Sequence, residues 1–329
     1  MKKLRWGVLG VSKHFFMRMS IPWNNSDYAT LQAIGSRSKQ RAQQCARQLK
    51  IPAYYGSYQE VIDDEHVDAI YIPLPNHLHK EWIIKSANAG KHILCEKPLC
   101  LSSIDCEEVR DVCAEKGVLL MEAFMYRFHP QWQHSKQLIK TGELGALHTI
   151  ATHFFYNNQD PSNIRNNLNM GGGGLYDIGC YAVSLSSFLL NRQPVKVCSL
   201  MQRHTKFHVD VMASALMDFG DVQSSFTVST CVFPSQGVQI FGEQGHIRLS
   251  LPFNAPPDVP MEVIVTTETG VRTVSCGPCD QYLEEIDSFS KAALGLAPIP
   301  IPIKDAIDNQ VIVDALFTSE KIAGWISLS

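Results

Sequence analysis

The sequence predicts an α/β chain: an N-terminal Rossmann-like, doubly wound parallel sheet, followed by a C-terminal α+β domain with a large open, mainly antiparallel sheet. Two observations carry this. Up to residue 122, short apolar runs alternate with helical stretches of roughly 10 to 15 residues, the pattern of parallel strands joined by crossover helices. From residue 123 onward several apolar runs follow one another with only turn residues between them, as at Phe219-Gly220-Asp221, which requires antiparallel neighbours. The predicted domains are therefore 1–122 and 123–329, with the helix expected at 304–325 free to pack back on the first domain.

In order, Leu4 to Leu9 reads as a strand, followed by a polar turn and a helix to about Ser20. Thr30 to Gly35 is a second strand, Ser38 to Leu49 a helix, and Val67 to Ile72 a third strand. A helix from Asn76 to Ala89 stops at Gly90, His92 to Cys95 is strand-like, Ser102 to Glu115 is helical, and Val118 to Met121 closes the series. In the second domain a helix at Gln131 to Lys140 leads into strands at Leu147–Tyr156, Val195–Gln202, Val211–Phe219, Val222–Thr230, Gly237–Phe241, His246–Leu251 and Met261–Thr267. Helices at Gln281–Leu294 and Lys304–Trp325, separated by the stretch Pro298 to Pro302, end the chain.

At 329 residues, with 45% apolar and 19% charged residues, the chain can bury the cores of two domains. Its 29 Lys and Arg against 32 Asp and Glu give a net charge of −3, which argues against a nucleic-acid partner. Apolar runs such as Val183 to Leu190 fall far short of the roughly 18 residues that would span a bilayer. Arg5, Lys13, His14 and Arg18 interrupt any secretory apolar segment, so a cytoplasmic location is expected. The ten cysteines form no dense disulfide framework and suit a reducing compartment.

The first strand runs into Gly7-Val8-Leu9-Gly10-Val11-Ser12-Lys13, a shortened glycine fingerprint. Gly10 supplies the tight turn that lets a pyrophosphate approach a helix N-terminus, and Ser12 stands at the second glycine position. At the end of the second strand an NAD-selective site places an acidic residue on the ribose. Here Ser36-Arg37-Ser38 stands instead, with Arg41 one turn further on, a guanidinium-and-hydroxyl set that suits a 2′-phosphate. NADP is the expected cofactor, with NAD as the second candidate. Lys97 follows a strand in Cys95-Glu96-Lys97-Pro98 and so lies at the carboxyl edge of the sheet, where open α/β folds bind ligands; Pro98 biases it away from helix.

This segment resembles the glucose-fructose oxidoreductase, inositol dehydrogenase and MocA (Gfo/Idh/MocA) family. So do Pro75-Asn76-His77-Leu78-His79, the run from Glu122 to Pro130, and Gly172-Gly-Gly-Leu-Tyr-Asp177-Ile-Gly-Cys-Tyr181. Within the family the chain is similar to the dihydrodiol, xylose and glucose-fructose branch, whose sites carry the Lys of Glu-Lys-Pro and an Asp with a Tyr or His four residues later. Inositol dehydrogenases usually have His where this chain has Tyr181, so inositol is a less suited substrate. The resemblance implies cofactor contacts from Gly10, Val11, Ser12, Lys13, His14, Ser36, Arg37, Arg41, Pro73, Leu74, Asn76, His77, Glu96, Lys97, Arg165 and Tyr282. It implies substrate contacts from Lys97, His79, Arg127, Arg165, Asp177 and Tyr181. It further implies a homodimer or homotetramer formed through the open sheet face.

Four residues apart on a helix from Tyr176 to Leu190, Asp177 and Tyr181 share one face and can present two proton-handling groups to one hydroxyl. Hydride transfer from a carbinol to nicotinamide needs a base for the hydroxyl proton, and the reverse needs an acid. A cationic nicotinamide ring and burial would lower the pKa of Lys97, so Lys97 is expected to bond the reacting oxygen, with Asp177 orienting and either Lys97 or Tyr181 carrying the proton. The expected activity is hydride exchange between NAD(P) and a secondary alcohol or carbonyl of a sugar, polyol or cyclic diol. A catalytically silent, NADP-sensing protein of the same fold is the alternative.

Three further motifs are set aside. His77 and His79 point to nearly opposite sides of a helix, which is poor geometry for a shared metal, and no metal is expected. The run Gly171 to Gly174 lacks the Lys-Ser or Lys-Thr of a phosphate loop. Cys276-Gly-Pro-Cys279 matches a thiol-redox motif but falls at the exit of an antiparallel sheet, so it reads as a turn.

Overall fold

The computed structural model describes residues 2–328, and the chain divides into two compact units, each described by itself. The first comprises residues 1–124 with 282–307, the second 125–281 with 308–329. The division thus falls two residues beyond the expected boundary at 122. The segment 282–307 returns to the first unit, so the helix expected at 304–325 joins it through its first residues only.

In the first unit, β1 (Leu4–Leu9), α1 (Ser20–Asn25), β2 (Ala29–Gly35), α2 (Lys39–Leu49), β3 (Ala53–Tyr55), α3 (Tyr58–Ile62), β4 (Ala69–Ile72), α4 (His79–Asn88), β5 (His92–Glu96), α5 (Ser103–Glu115) and β6 (Leu120–Ala123) follow in order. The six strands are all parallel, in the order β3-β2-β1-β4-β5-β6. This is the order of a dinucleotide-binding sheet, with its reversal point between β1 and β4. β3 and α3 were not expected from the sequence. They are short, and their residues alternate too little to carry a period.

Strand burial explains the sheet's position. β4 is buried throughout, as a strand covered by helices on both faces must be. Serines cap the helices: Ser38, Ser57 and Ser102 accept backbone N–H bonds at the starts of α2, α3 and α5. Helix α8 (Gln281–Ala293) belongs with this unit for a visible reason. Trp6 Nε1 donates to Ser290 Oγ at 3.2 Å, the Trp6 ring packs on Phe289, and Ser26 Oγ donates to Asp287. Helix α9 (Ile303–Ile322) starts here, with Ala306 and Ile307 in the core beside α4 and α5.

The second unit carries α6 (Pro130–Lys140), β7 (Leu147–Asn157), α7 (Cys180–Leu190), β8 (Lys196–Arg203), β9 (Asp210–Asp218), β10 (Gln223–Ser229), β11 (Cys231–Gly242), β12 (Gly245–Leu249), β13 (Met261–Thr267), β14 (Gly270–Cys276) and β15 (Ile326–Ser327). The order is β14-β13-β12-β11-β7-β10-β9-β8-β15, antiparallel throughout except for β7 and β10. The sequence reading missed β14 and β15 and cut β11 short. Burial alternates strictly: Ile150, Thr152 and Phe154 on β7, and Ala213, Ala215 and Met217 on β9, face the core, while Leu216 and Ser214 face out. An aromatic cluster of Tyr126, Trp132, Phe154, Tyr181 and Phe253 fills the interior, with ring centroids 5.2 to 6.4 Å apart.

Candidate active site

In the first unit the expected cofactor residues gather at the carboxyl edge of the sheet. Gly10 adopts φ +109°, a left-handed conformation that a side chain would strain, and a Cβ there would press on Leu74 at 3.2 Å. Ser12 Oγ accepts from Phe15 N at 3.0 Å and so fastens the start of the following helix, which opens with a π turn at Phe15–Met19. Turns of this kind recur at functional sites. Val11, Ser12 and His14 are half-exposed and Lys13 exposed. Arg41 Nη2 donates to the Val11 carbonyl at 3.2 Å, tying α2 to the glycine turn, and Ser38 Oγ accepts from Arg41 N. Arg37 and Arg41 are exposed beside buried Ser36, as a 2′-phosphate cradle requires. Together the bare turn, the fastened helix start and the two guanidinium groups fit NADP.

Glu96 closes the next strand. Tyr71 donates its hydroxyl to Glu96 Oε1 at 2.5 Å and His14 Nε2 lies 3.2 Å from the same oxygen. Burial acts to raise the Glu96 carboxyl, but His14, Tyr71 and Lys97 outweigh it and hold the pKa down at about 2. Its carboxylate is thus spent on bracing His14, whose ring meets Tyr282 edge-on at 5.8 Å. The Lys97-Pro98 peptide is cis, and Leu99 N donates to buried Glu122 Oε1 at 2.8 Å, which fixes the segment after Lys97. Pro73 and Leu74 are buried at the end of β4, Asn76 is half-buried and His77 exposed in the 3₁₀ turn Asn76–Leu78.

His79 is corrected. It is fully buried, with Nδ1 2.8 Å from the Pro98 carbonyl and Nε2 2.9 Å from the Leu74 carbonyl. Neither nitrogen remains for a substrate. Burial lowers its pKa against the pull of those two carbonyls. His79 instead sits between the loop after β4 and the loop after β5, its protonated ring nitrogen donating to one of the two carbonyls.

In the second unit, the helix expected over Tyr176–Leu190 forms as a π turn, Leu175–Gly179, running into α7. Asp177 sits in that turn. Its Oδ2 is 2.8 Å from Arg165 Nε and accepts the Tyr156 hydroxyl at 2.5 Å. Asp177 raises the Arg165 pKa, and burial, with Asp177 second, raises that of Tyr156. Tyr181 is buried in the aromatic cluster, its hydroxyl 3.5 Å from Met125 Sδ. Arg127, in the 3₁₀ turn Met125–Phe128, lies with its guanidinium 4.4 Å above the Phe188 ring, which Lys136 also approaches. Tyr156 was not foreseen from the sequence. Only its period-two position on β7, two residues beyond Phe154 on the face of Ile150, Thr152 and Phe154, marks it, and such a position is ordinary for a tyrosine.

Cys276 and Cys279 are unbridged, and burial raises the Cys276 thiol pKa, the opposite of an activated redox cysteine. Among the described residues no group of three or more His, Cys, Asp or Glu is placed to hold a metal, and no helix is long and apolar enough to cross a membrane.

A doubly wound sheet with an NADP-shaped turn, a lysine on its carboxyl edge and a carboxylate-guanidinium-phenol group in a second domain define a nicotinamide-dependent oxidoreductase. Residues 4–124 match the Gfo/Idh/MocA oxidoreductase family with NAD-binding Rossmann fold, and residues 132–248 match the C-terminal domain of the same family. The chain belongs to that family. It is 31% identical to D-xylose 1-dehydrogenase (NADP(+)) 2 of Haloferax volcanii, over 99% of this chain and 100% of that one. It is 32% identical to trans-1,2-dihydrobenzene-1,2-diol dehydrogenase of Mus musculus, over 69% and 68%. Among solved structures, a 3-ketoreductase of Actinomadura kijaniata with NADP and TDP-benzene superposes with a TM-score of 0.91 at 27% identity, covering 97% of this chain and 98% of that one. That ketoreductase has also been solved with a tyrosine or a lysine replaced.

Proposed function

We propose that this oxidoreductase is an NADP-dependent dehydrogenase or reductase of a secondary alcohol or carbonyl in a sugar, polyol or cyclic diol. The observation that carries the cofactor choice is the exposed pair Arg37 and Arg41 where an NAD-selective site keeps a carboxylate. The xylose and dihydrodiol relatives and the TDP-benzene ligand of the ketoreductase support the substrate class.

Bound nicotinamide supplies or takes the hydride. Of the chain's own residues, Lys97 bonds the reacting oxygen, and Lys97 or Tyr181 carries its proton. Asp177, held beside Arg165, orients this machinery, and Tyr156 supports Asp177. The substitution of a lysine and of a tyrosine in the ketoreductase relative is consistent with this pair. The test is nicotinamide absorbance with NADPH and NADH against a panel of aldoses, diols and keto sugars. Turnover with NADPH on a member of the panel is expected; tight NADPH binding with no turnover on any member would reject the reading.

We place the protein in the cytoplasm, where its ten unbridged cysteines stay reduced. We also propose that it is a homodimer or homotetramer. The outer face of the nine-stranded sheet forms a groove of about 1140 Å³, with Leu200 and Leu216 exposed in it. Light scattering at micromolar concentration should give a multiple of the chain mass, and Leu216→Asp should reduce it.

A further inference from the structure

Asp210 opens β9, is 1% exposed, and has no part in the chemistry above. Its Oδ2 accepts the backbone N–H of Leu175 at 2.6 Å, so it holds the first residue of the π turn that carries Asp177. The same carboxylate lies against Gly173, at φ +124°, where a Cβ would collide with Asp210 Oδ1. The glycine loop then ties back to the other partner of Asp177. Gly173 N donates to the Arg165 carbonyl at 2.9 Å, Gly172 N donates to the Asn167 carbonyl at 3.0 Å, and a Cβ at Gly172 would collide with the Arg165 carbonyl. Asp177 N in turn donates to the Gly173 carbonyl at 3.1 Å. One buried carboxylate therefore sits behind a loop that grips Arg165 on one side and the Asp177 turn on the other.

We propose that Asp210 is a positioning residue: by fastening Leu175 N and packing on Gly173, it sets the π turn so that Asp177 meets Arg165 and Tyr156. This rests on the proposed role of Asp177. An anion at the first turn of a helix interacts favourably with the exposed N–H groups there, and a neutral carboxyl accepts their bonds more weakly. Burial pushes the Asp210 carboxyl up to about 6, against the hydrogen bonds from Leu175 and its own N–H and against Arg203. The charged or titratable groups that face it are Arg203 on β8, Glu320 on α9 and Tyr156 on β7, with Arg165 and Asp177 across the glycine loop. Arg203 and Glu320 pair with each other at 2.7 Å, both partly exposed. As pH falls through about 6, the brace loses its charge and turnover falls.

The test is a double-mutant cycle of Asp210→Asn and Asp177→Asn on the full chain with NADPH. Asp210→Asn is expected to lower kcat roughly 10- to 100-fold, the scale of a misplaced catalytic group, with NADPH affinity unchanged. The double variant should lose no more than Asp177→Asn alone. Full turnover in Asp210→Asn with Asp177→Asn impaired overturns this proposal alone, as do losses that add. Full turnover in Asp177→Asn overturns the role of Asp177 and this proposal together. Should Asp210→Asn fail to fold, two surface variants carry the test. Arg203→Gln should move the acid limb of the kcat profile to higher pH, and Glu320→Gln should move it to lower pH. A limb that neither variant moves overturns the proposal.

Discussion

The two helices of the proposed cofactor and substrate sites each carry a π turn near their start, at Phe15–Met19 and Leu175–Gly179, yet they are built in opposite ways. The first leaves its turn open: Gly10 keeps the backbone bare, and Arg37 and Arg41 stand exposed beside it. The second is closed by side chains, with Asp177 held by Arg165 and Tyr156 and the loop behind it held by Asp210. An anionic cofactor can be met by backbone N–H groups and exposed cations, whereas a buried carboxylate needs hydrogen-bonding partners around it.

This contrast can be broken in several ways. The largest effect is expected from Lys97→Ala, which should lower turnover by roughly 10²- to 10⁴-fold with NADPH binding retained. Undiminished turnover would remove Lys97 from the chemistry. Tyr156→Phe removes a hydrogen bond to the Asp177 carboxylate that pairs with Arg165, worth about 1.5–3 kcal/mol for a bond to a charged group, so kcat should fall without change in NADPH affinity. Loss of NADPH affinity instead would contradict the separation drawn between the two turns. Arg41→Ala should do the reverse, weakening NADPH by about 10-fold or more, the scale of one bond to a charged group, while NADH is unaffected. Equal losses for both cofactors would assign Arg41 to the pyrophosphate or to folding.

The smallest effect concerns stability. Glu285 on α8 is 1% exposed, its Oε1 has no hydrogen-bond partner among the described residues, and burial, aided by Glu96, raises its pKa well above the ordinary value. A carboxyl raised on folding contributes stability below its unfolded pKa and loses it as pH rises through its folded pKa. Wild-type Tm should therefore decline from mildly acidic to alkaline pH, and Glu285→Gln should flatten that decline. Parallel Tm curves would show that Glu285 ionises freely.

The first unit was largely legible in the sequence. Period and caps mark β1, α2 and α5, and Gly10, Ser36 and Arg41 lie within a few residues of strand ends, where their roles follow from local geometry. Helix α8 was placed correctly along the chain, but its membership of the first unit was not, because that depends on Trp6 meeting Phe289 and Ser290 across almost the whole sequence. His79 misled for a related reason. Its motif sits beside a cofactor edge, and only the folded chain shows Leu74 and Pro98 taking both ring nitrogens.

The sequence by itself marked the alternation of strands and helices behind the doubly wound sheet, the glycine turn after β1, and Arg37, Arg41, Lys97, Asp177 and Tyr181 as candidates, because each is signalled by a local period, turn or motif. Only the tertiary structure decided what surrounds them. Arg165 and Tyr156 reach Asp177 from separate segments, and Asp210 comes to the same turn from 35 residues further along the chain. Hydrogen bonds between distant segments leave no period or spacing in the chain, so packing alone brings these groups together.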